Sequence, residues 1–276
     1  MVNDYQVLKG YPLVKRCKFT VMRTKFVLKV FEELLKDKVL ATTSSVLVVA
    51  GGAAERDLFE LLKMQKATIT NLDSGQANDS LYPYEWDYQD AQSLTYVDKS
   101  YDWVVVVDGL HHCASPHRAL TEMYRCCRIG VIAVEARDSL VMRVATRFGF
   151  SSSYEIEAVR HQGGMSGGLE NGPVPNYVYR WTEREFHKTI RSCDPTGTPK
   201  IFFRYGLNLP YETASLRGWK AKTVVMRLAE PLLKIFMGVF PRQKNSIAMV
   251  AARPRKVFPW LTEKNDALTF RDPLQD

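Results

Sequence analysis

Apolar residues recur at helical spacing between Thr20 and Lys36, with Phe26, Val27, Val30, Phe31, Leu34 and Leu35 falling on one stripe. That predicts a leading helix. The pattern then changes. Val46–Ala50, Ala67–Leu72, Trp103–Val107 and Val131–Glu135 are short runs dominated by apolar and β-branched residues. Each reads as a strand, with Glu85–Tyr88 a shorter one. Between them, Arg56–Met64 and Pro116–Cys127 return to a helical period. Strands apolar on both faces, alternating with helices, predict an α/β fold with a doubly wound parallel sheet.

The first strand ends abruptly in Gly51-Gly52 before a helix opens. Glycines there permit a tight turn and let a ligand approach the backbone closely. The helix N-terminus behind them offers unpaired N–H groups to whatever fills the crevice. Asp73 lies about twenty residues further on, at the end of the second strand, where a carboxylate can accept from both hydroxyls of a ribose. Glu135 ends the Val131–Glu135 strand, and topology alone would bring it to the same crevice.

From about Ser151 the alternation breaks. Gly163-Gly164, Gly167-Gly168 and Gly172-Pro173 crowd one loop, which runs into the alternating aromatics Tyr177, Tyr179 and Trp181. A long glycine-rich loop is either a mobile surface insertion or a lid, and 161–179 is the candidate lid. In a strand the three aromatics would share a face and either line an acceptor pocket or pack the loop onto the sheet. Thr182 with Glu185 makes a capping box. Lys200–Tyr205 and Ser246–Ala251 read as two last strands, and the tail from Arg253 as a surface extension. The domain reading is one unit over 1–256, with an acceptor-side insertion at about 151–181, a basic amphipathic segment at about 217–244 and an extension at 257–276.

Charge changes the picture in one place. The net charge is +8, and Arg217 to Lys256 alone holds ten basic residues and one acid. The rest of the chain is near neutral, so a local anionic partner is indicated rather than a nucleic-acid-coated surface. Val224, Leu228, Leu232, Ile235 and Val239 lie among those cations. Pro231 predicts that this segment breaks into two helical pieces, either covering the sheet or lying on a membrane surface. Five scattered cysteines form no C-x-x-C pair, which argues for reduced thiols in a cytoplasmic protein, with peripheral membrane contact as the variant reading. No run is long enough to span a membrane.

Val46–Ala54, Asp73, Gln89–Leu94, Ser100–Gly130 and Val131–Ala136 together resemble class I S-adenosylmethionine-dependent methyltransferases of the small-molecule type, in which the fourth strand continues into a Leu-His-His element. The resemblance covers roughly residues 40 to 140. It implies a seven-stranded, mostly parallel Rossmann-like sheet with an antiparallel last strand, and S-adenosylmethionine as cofactor. It implies cofactor contacts from Ala50, Gly51, Gly52, Asp73, Asp90, Ala91, Asp108 and Gly109. Asp90 would meet the adenine amino group, with Ala91 and Leu94 as the apolar wall. The family's acid before the first glycine is Ala50 here, leaving Glu55 as the substitute partner for the cofactor's ammonium group. The expected reaction is methyl transfer to a small-molecule acceptor, most simply a hydroxyl, with His111, His112 or His161 taking its proton. No metal is expected, because no cluster has convincing ligand spacing. Two other readings stand beside it. A nicotinamide-dependent oxidoreductase would share the ribose acid, but no third glycine follows Gly51-Gly52. A degenerate binding subunit at a membrane surface would fit the altered turn and the basic segment. Nucleic-acid methylation ranks low, since no Asn/Asp-Pro-Pro-aromatic tetrad is present.

Overall fold

The computed structural model describes residues 21–75, 78–209, 211, 220–264 and 267–272. The leading helix is α1, Val21–Lys36, followed by β1, Ser45–Val49, and α2, Ala53–Leu61. Then come β2, Lys66–Asn71, β3, Glu85–Tyr88, β4, Tyr101–Val107, α3, Pro116–Cys126, and β5, Cys127–Ala136. Short helices α4, Leu140–Arg147, and α5, Ile156–His161, precede α6, Glu183–Cys193. The chain continues through β6, Lys200–Gly206, α7, Lys220–Val239, β7, Ser246–Ala252, and the pair β8, Leu261–Lys264, with β9, Ala267–Phe270.

Seven strands form one sheet in the order β3-β2-β1-β4-β5-β7-β6. The first five are mutually parallel, while β7 runs antiparallel to both neighbours. This is the mostly parallel, doubly wound arrangement with one antiparallel strand that the sequence and its resemblance predict. Alternation along the central strands explains the two layers. Val46, Val48, Trp103 and Val105 point into a core shared with α1 and α2. Leu47, Val49, Val104 and Val106 point into a core shared with α3 and α6. Each fully buried Leu or Phe in these layers contributes about 1.5–3 kcal/mol.

Two local expectations are corrected. Pro231 sits inside one continuous helix, α7, rather than dividing two. Pro231 is exposed, and on the solvent side of a helix the lost hydrogen bond does not force a break. Residues 217–219 of the basic segment lie outside the described residues. The tail from Arg253, read as a surface extension, carries the antiparallel pair β8–β9. The aromatics of 177–181 form no strand, only isolated bridges at Tyr177 and Trp181. Trp181 is fully buried and stacks on Phe186 at 4.4 Å between ring centres, whereas Tyr177 is 55% exposed. Helices α4 and α5, of eight and six residues, are short and are not among the predicted elements.

Gly130 lies within β5, between β4 and β7. A methyl group there would press on the Ala251 carbonyl and come within 2.8 Å of the Trp103 ring. Gly130→Ala is therefore expected to lower stability by about 1–3 kcal/mol through overpacking. Urea denaturation with an earlier midpoint and unchanged slope checks this, and an unchanged midpoint contradicts it.

Candidate active site

A crevice opens at the carboxyl edge of β1, β2, β3 and β4, where the strand order reverses between β1 and β4. It encloses about 820 Å³ of empty space, part of it open to solvent. The chain makes two sharp turns there. Ala50 and Asp108, the residues that follow β1 and β4, have φ of 50° and 55°, a left-handed conformation that side chains disfavour by about 1–2 kcal/mol. Gly109 packs into the gap between them. A Cβ on it would lie 2.7 Å from the Ala50 Cβ. Gly51 is equally confined, with Val48 2.7 Å from its missing Cβ. Gly52 is different: nothing lies within 4 Å of the place its Cβ would take. The bend is thus bare backbone facing open space, as a ligand cradle requires.

Asn71 braces this bend. Its Nδ2 donates to the Gly51 carbonyl at 2.8 Å, and its Oδ1 accepts from the Asp73 N–H at 3.0 Å. Asp73 lines the crevice and accepts from Gly75 N–H through one oxygen. Asp90 lines it as well and accepts from Gln92 N–H at 2.9 Å. Ala91 is buried and packs in the same apolar layer as Leu94. Of the residues singled out in the sequence, Ala50, Gly51, Gly52, Asp73, Asp90, Ala91, Gly109 and His112 form walls of one crevice. Glu55 and Asp108 do not. The Glu55 carboxylate instead accepts from Gly52 N–H at 2.8 Å, capping α2. Burial pushes its pKa up to about 7, against the lowering effect of that bond.

The glycine-rich loop closes over the crevice. Asn171 donates to the Leu72 carbonyl at 3.1 Å, and Gln92 Nε2 donates to Glu170 at 3.1 Å. Gly167, Gly168, Glu170 and Asn171 are walls of the crevice. His161, by contrast, is exposed at the end of α5 and is not one of those walls. Glycines mark this loop in the sequence, but nothing there marks Asn71, Gln92 or Asn171, whose roles are bonds formed only in the fold.

His111 and His112 belong to a cluster of which the sequence shows only a part. Glu135, at the end of β5, is fully buried and accepts from Leu110 N–H at 2.7 Å. It lies beneath the crevice rather than among its walls. Its other oxygen meets His111 Nδ1 at 2.7 Å. His111 Nε2 lies 3.5 Å from one oxygen of Glu155, and His112 Nε2 lies 3.2 Å from the other. His112 Nδ1 lies 3.3 Å from the Gly168 carbonyl. Burial alone would depress the His111 pKa, but the carboxylates of Glu135 and Glu155 outweigh it and push it up to about 9. Burial would raise Glu155, and the two imidazoles instead hold it well below the usual carboxylate range. Glu155 reaches this place through backbone pairing: Glu155 N–H donates to Asn176 O and Val178 N–H to Ser153 O. Asn176, itself buried, donates to the His111 carbonyl at 3.1 Å. Sequence reasoning misses Glu155 altogether, because nothing in the spacing of residues 111 and 155 signals the contact.

Comparison with known proteins agrees with this fold. Residues 56–134 match the family model described as a methyltransferase domain. No curated protein matches the chain. Magnesium protoporphyrin IX methyltransferase from Synechocystis PCC 6803, solved with bound SAH, is similar at 14% identity over 92% of this chain and 89% of that one, with a TM-score of 0.51. An S-adenosylmethionine-dependent methyltransferase from Thermotoga maritima aligns at 13% identity over 84% and 99%, TM-score 0.45. One from Methanosarcina mazei aligns at 13% over 79% and 96%, TM-score 0.47. At such identities the likeness is one of fold.

The Glu55 carboxyl has a folded pKa raised from 4.5 to about 7. Its stabilising contribution is therefore complete below pH 4.5 and is lost as pH rises through about 7. Relative to the natural chain, Glu55→Gln is expected to lose the fall in melting temperature across that window. Parallel curves for the two proteins between pH 4 and 8 would contradict the assignment.

Proposed function

We propose that this chain is a class I S-adenosylmethionine-dependent methyltransferase, a reading supported by its methyltransferase-domain match and its fold, and that it transfers the methyl group to a hydroxyl of a small-molecule acceptor. One observation carries the cofactor side. The crevice joins the open backbone at Gly52 to the carboxylates of Asp73, Asp90 and Glu170, and among the described residues its walls include no lysine or arginine. S-adenosylmethionine brings a ribose for Asp73, an adenine amino group for Asp90, and net positive charge. A nicotinamide dinucleotide would bring a pyrophosphate, which three carboxylates and no cation would repel. That disfavours the oxidoreductase reading independently of the missing third glycine.

When bound, the cofactor supplies a methyl already activated by its positively charged sulfur. The chain's own residues have three tasks. Gly51, Gly52 and Gly109 keep the strand ends bare and close together. The loop at 167–171, bonded to Leu72 and Gln92, excludes water and holds the partners aligned. The His111–His112–Glu155 cluster, beside Gly109, is where an acceptor hydroxyl meets groups able to handle its proton, and this supports oxygen over carbon as the methylated atom. Transfer forms the O–CH₃ bond, breaks the S–CH₃ bond, and releases the hydroxyl proton.

The outer face of α7 supports a membrane-peripheral placement. Leu228, Leu232, Ile235 and Val239 are 75, 73, 68 and 68% exposed on one side of the helix, opposite the buried Met226 and Met237. Lys220, Arg227 and Lys234 flank that stripe, which suits an anionic lipid surface. No helix among the described residues is long and apolar enough to cross a membrane.

Titration calorimetry tests the cofactor. S-adenosylmethionine is expected to bind, and NADH not. Gly52→Val should weaken binding at least about tenfold, or 1.4 kcal/mol, with little change in melting temperature, because its side chain enters open space. Asp73→Ala should cost about 10–100-fold, the value of hydrogen bonds to a charged group. Unchanged affinity in both variants rejects the crevice as the cofactor site. S-adenosylhomocysteine release with a panel of phenols and alcohols, and not with amines, supports the hydroxyl acceptor; the reverse pattern overturns it. For the lipid face, co-sedimentation with phosphatidylserine-containing vesicles should exceed that with pure phosphatidylcholine and be lost in a Leu232→Glu, Ile235→Glu double variant. A concentration-dependent dimer that disappears in the same variant, without vesicle binding, would assign the face to a second copy instead.

A further inference from the structure

The hydrogen bonds around the two histidines fix which way their lone pairs point. His111 Nδ1 faces the Glu135 carboxylate at 2.7 Å, and His112 Nδ1 faces the Gly168 carbonyl at 3.3 Å. Both partners can only accept, so each imidazole places its proton on Nδ1. With no proton on Nε2, each ring presents a lone pair there. Those two nitrogens and the Glu155 carboxylate lie within 4.8 Å of one another. Three electron-pair donors thus converge on one point, and only a positive charge makes that arrangement favourable.

We propose that His111 Nε2, His112 Nε2 and the Glu155 carboxylate bind a divalent first-row transition ion of the zinc type. The spacing fits. Donors bound at about 2.0–2.1 Å sit about 3.0–3.4 Å apart in octahedral or tetrahedral geometry. The Glu155 oxygens lie 3.5 Å from His111 Nε2 and 3.2 Å from His112 Nε2. The ring centres of the two histidines are 4.7 Å apart, as expected of two imidazoles radiating from one centre. The surroundings fit as well. Glu135 behind His111 is the carboxylate that commonly orients a ligating imidazole, and it is itself held by Leu110 N–H. Two imidazoles and one carboxylate favour zinc, cobalt or iron over magnesium or calcium. Three protein donors leave at least one position vacant, and His112 is a wall of the crevice, so that position is reached from the crevice. This deepens the hydroxyl-acceptor reading and, for its catalytic meaning, rests on it. The ion would bind the acceptor oxygen and acidify it, the proton leaving to solvent as the O–CH₃ bond forms. In the metal-free protein a proton takes the ion's place between the same donors.

The test uses the full chain, stripped with a chelator and titrated with cobalt(II) chloride. One ion per chain is expected, with the ligand-field absorption of nitrogen and oxygen donors. Zinc chloride in hundredfold excess over its dissociation constant should stabilise the fold by about 2.7 kcal/mol, read as a higher melting temperature that chelator reverses. Glu155→Gln and, separately, His112→Gln should each lower cobalt affinity at least about tenfold while keeping the far-ultraviolet circular dichroism of the natural chain. His161→Ala, which alters an exposed histidine away from the cluster, should bind cobalt like the natural chain. Absent cobalt absorption with no zinc-induced stabilisation overturns the proposal, and so does equal binding in the Glu155→Gln and His112→Gln variants. S-adenosylmethionine affinity measured on the same samples separates the two readings. Cofactor binding without metal binding defeats only the metal site; metal binding without cofactor binding defeats only the methyl-transfer reading.

Discussion

A carboxylate with no exposure at the end of a central strand must be matched on both oxygens, or the fold carries an uncompensated buried charge costing several kcal/mol. Glu135 is that group. One oxygen takes the Leu110 N–H and the other takes His111. These two bonds dictate how the chain leaves β4. They hold the turn after Asp108 in its left-handed start, place Gly109 against Ala50, and turn His111 inward while His112 reaches the crevice. The carboxyl end of β4 is therefore held from beneath, and the crevice beside it inherits its shape from those bonds.

The second consequence runs outward. Because His111 is held on one side by Glu135, its other nitrogen faces Glu155, and Glu155 arrives only if residues 153–155 pair with 176–178. The loop between those segments is then anchored at both ends. Its middle is pinned again, by Asn171 to Leu72 and Glu170 to Gln92. A stretch rich in glycine and free of strands thus becomes a cover with defined contacts rather than a loose insertion. Its cost is visible in Glu170 and Asn171, both held at φ above 50°. Such strain persists where surrounding bonds over-determine the backbone, as several do here.

Much of the fold was legible in the sequence because the central strands are buried on both faces and read as unbroken apolar runs. The run from Trp103 to Val107 has no competing interpretation when it ends in Asp108-Gly109, and the same holds for β1 before Gly51-Gly52. The glycine turn, Asp73 and Asp90 were legible for a related reason: a strand's end fixes where the next residues point. What could not be read depends on pairings between distant segments. Glu155 meets His111 and His112 across more than forty positions of chain, and no local period encodes that. Asn71 was hidden because its side chain serves backbone atoms, a role open to many residue types. Glu55 illustrates the opposite failure. Its spacing from the glycines suits a ligand contact, but it suits a helix cap equally, and only the bond to Gly52 N–H decides. Pro231 breaks a helix or rides within one according to which side of that helix meets water, and the sequence alone does not say which side that is.

The distribution of charge separates two tasks that the composition alone would merge. A chain with net charge +8 would be expected to attract anions everywhere, yet its crevice is lined by Asp73, Asp90 and Glu170, with no lysine or arginine among the described residues. The excess cations lie instead along α7 and the residues after it, beside an apolar stripe turned away from the core. At 0.15 M ionic strength exposed charges are screened over about 8 Å, so each field acts chiefly on its own surroundings. The proposed cationic donor would be favoured within the crevice, and the proposed anionic surface at α7. An arrangement with the signs exchanged would repel both. The acidity of the crevice is thus what favours the proposed sulfonium cofactor over a dinucleotide on a sheet able to hold either.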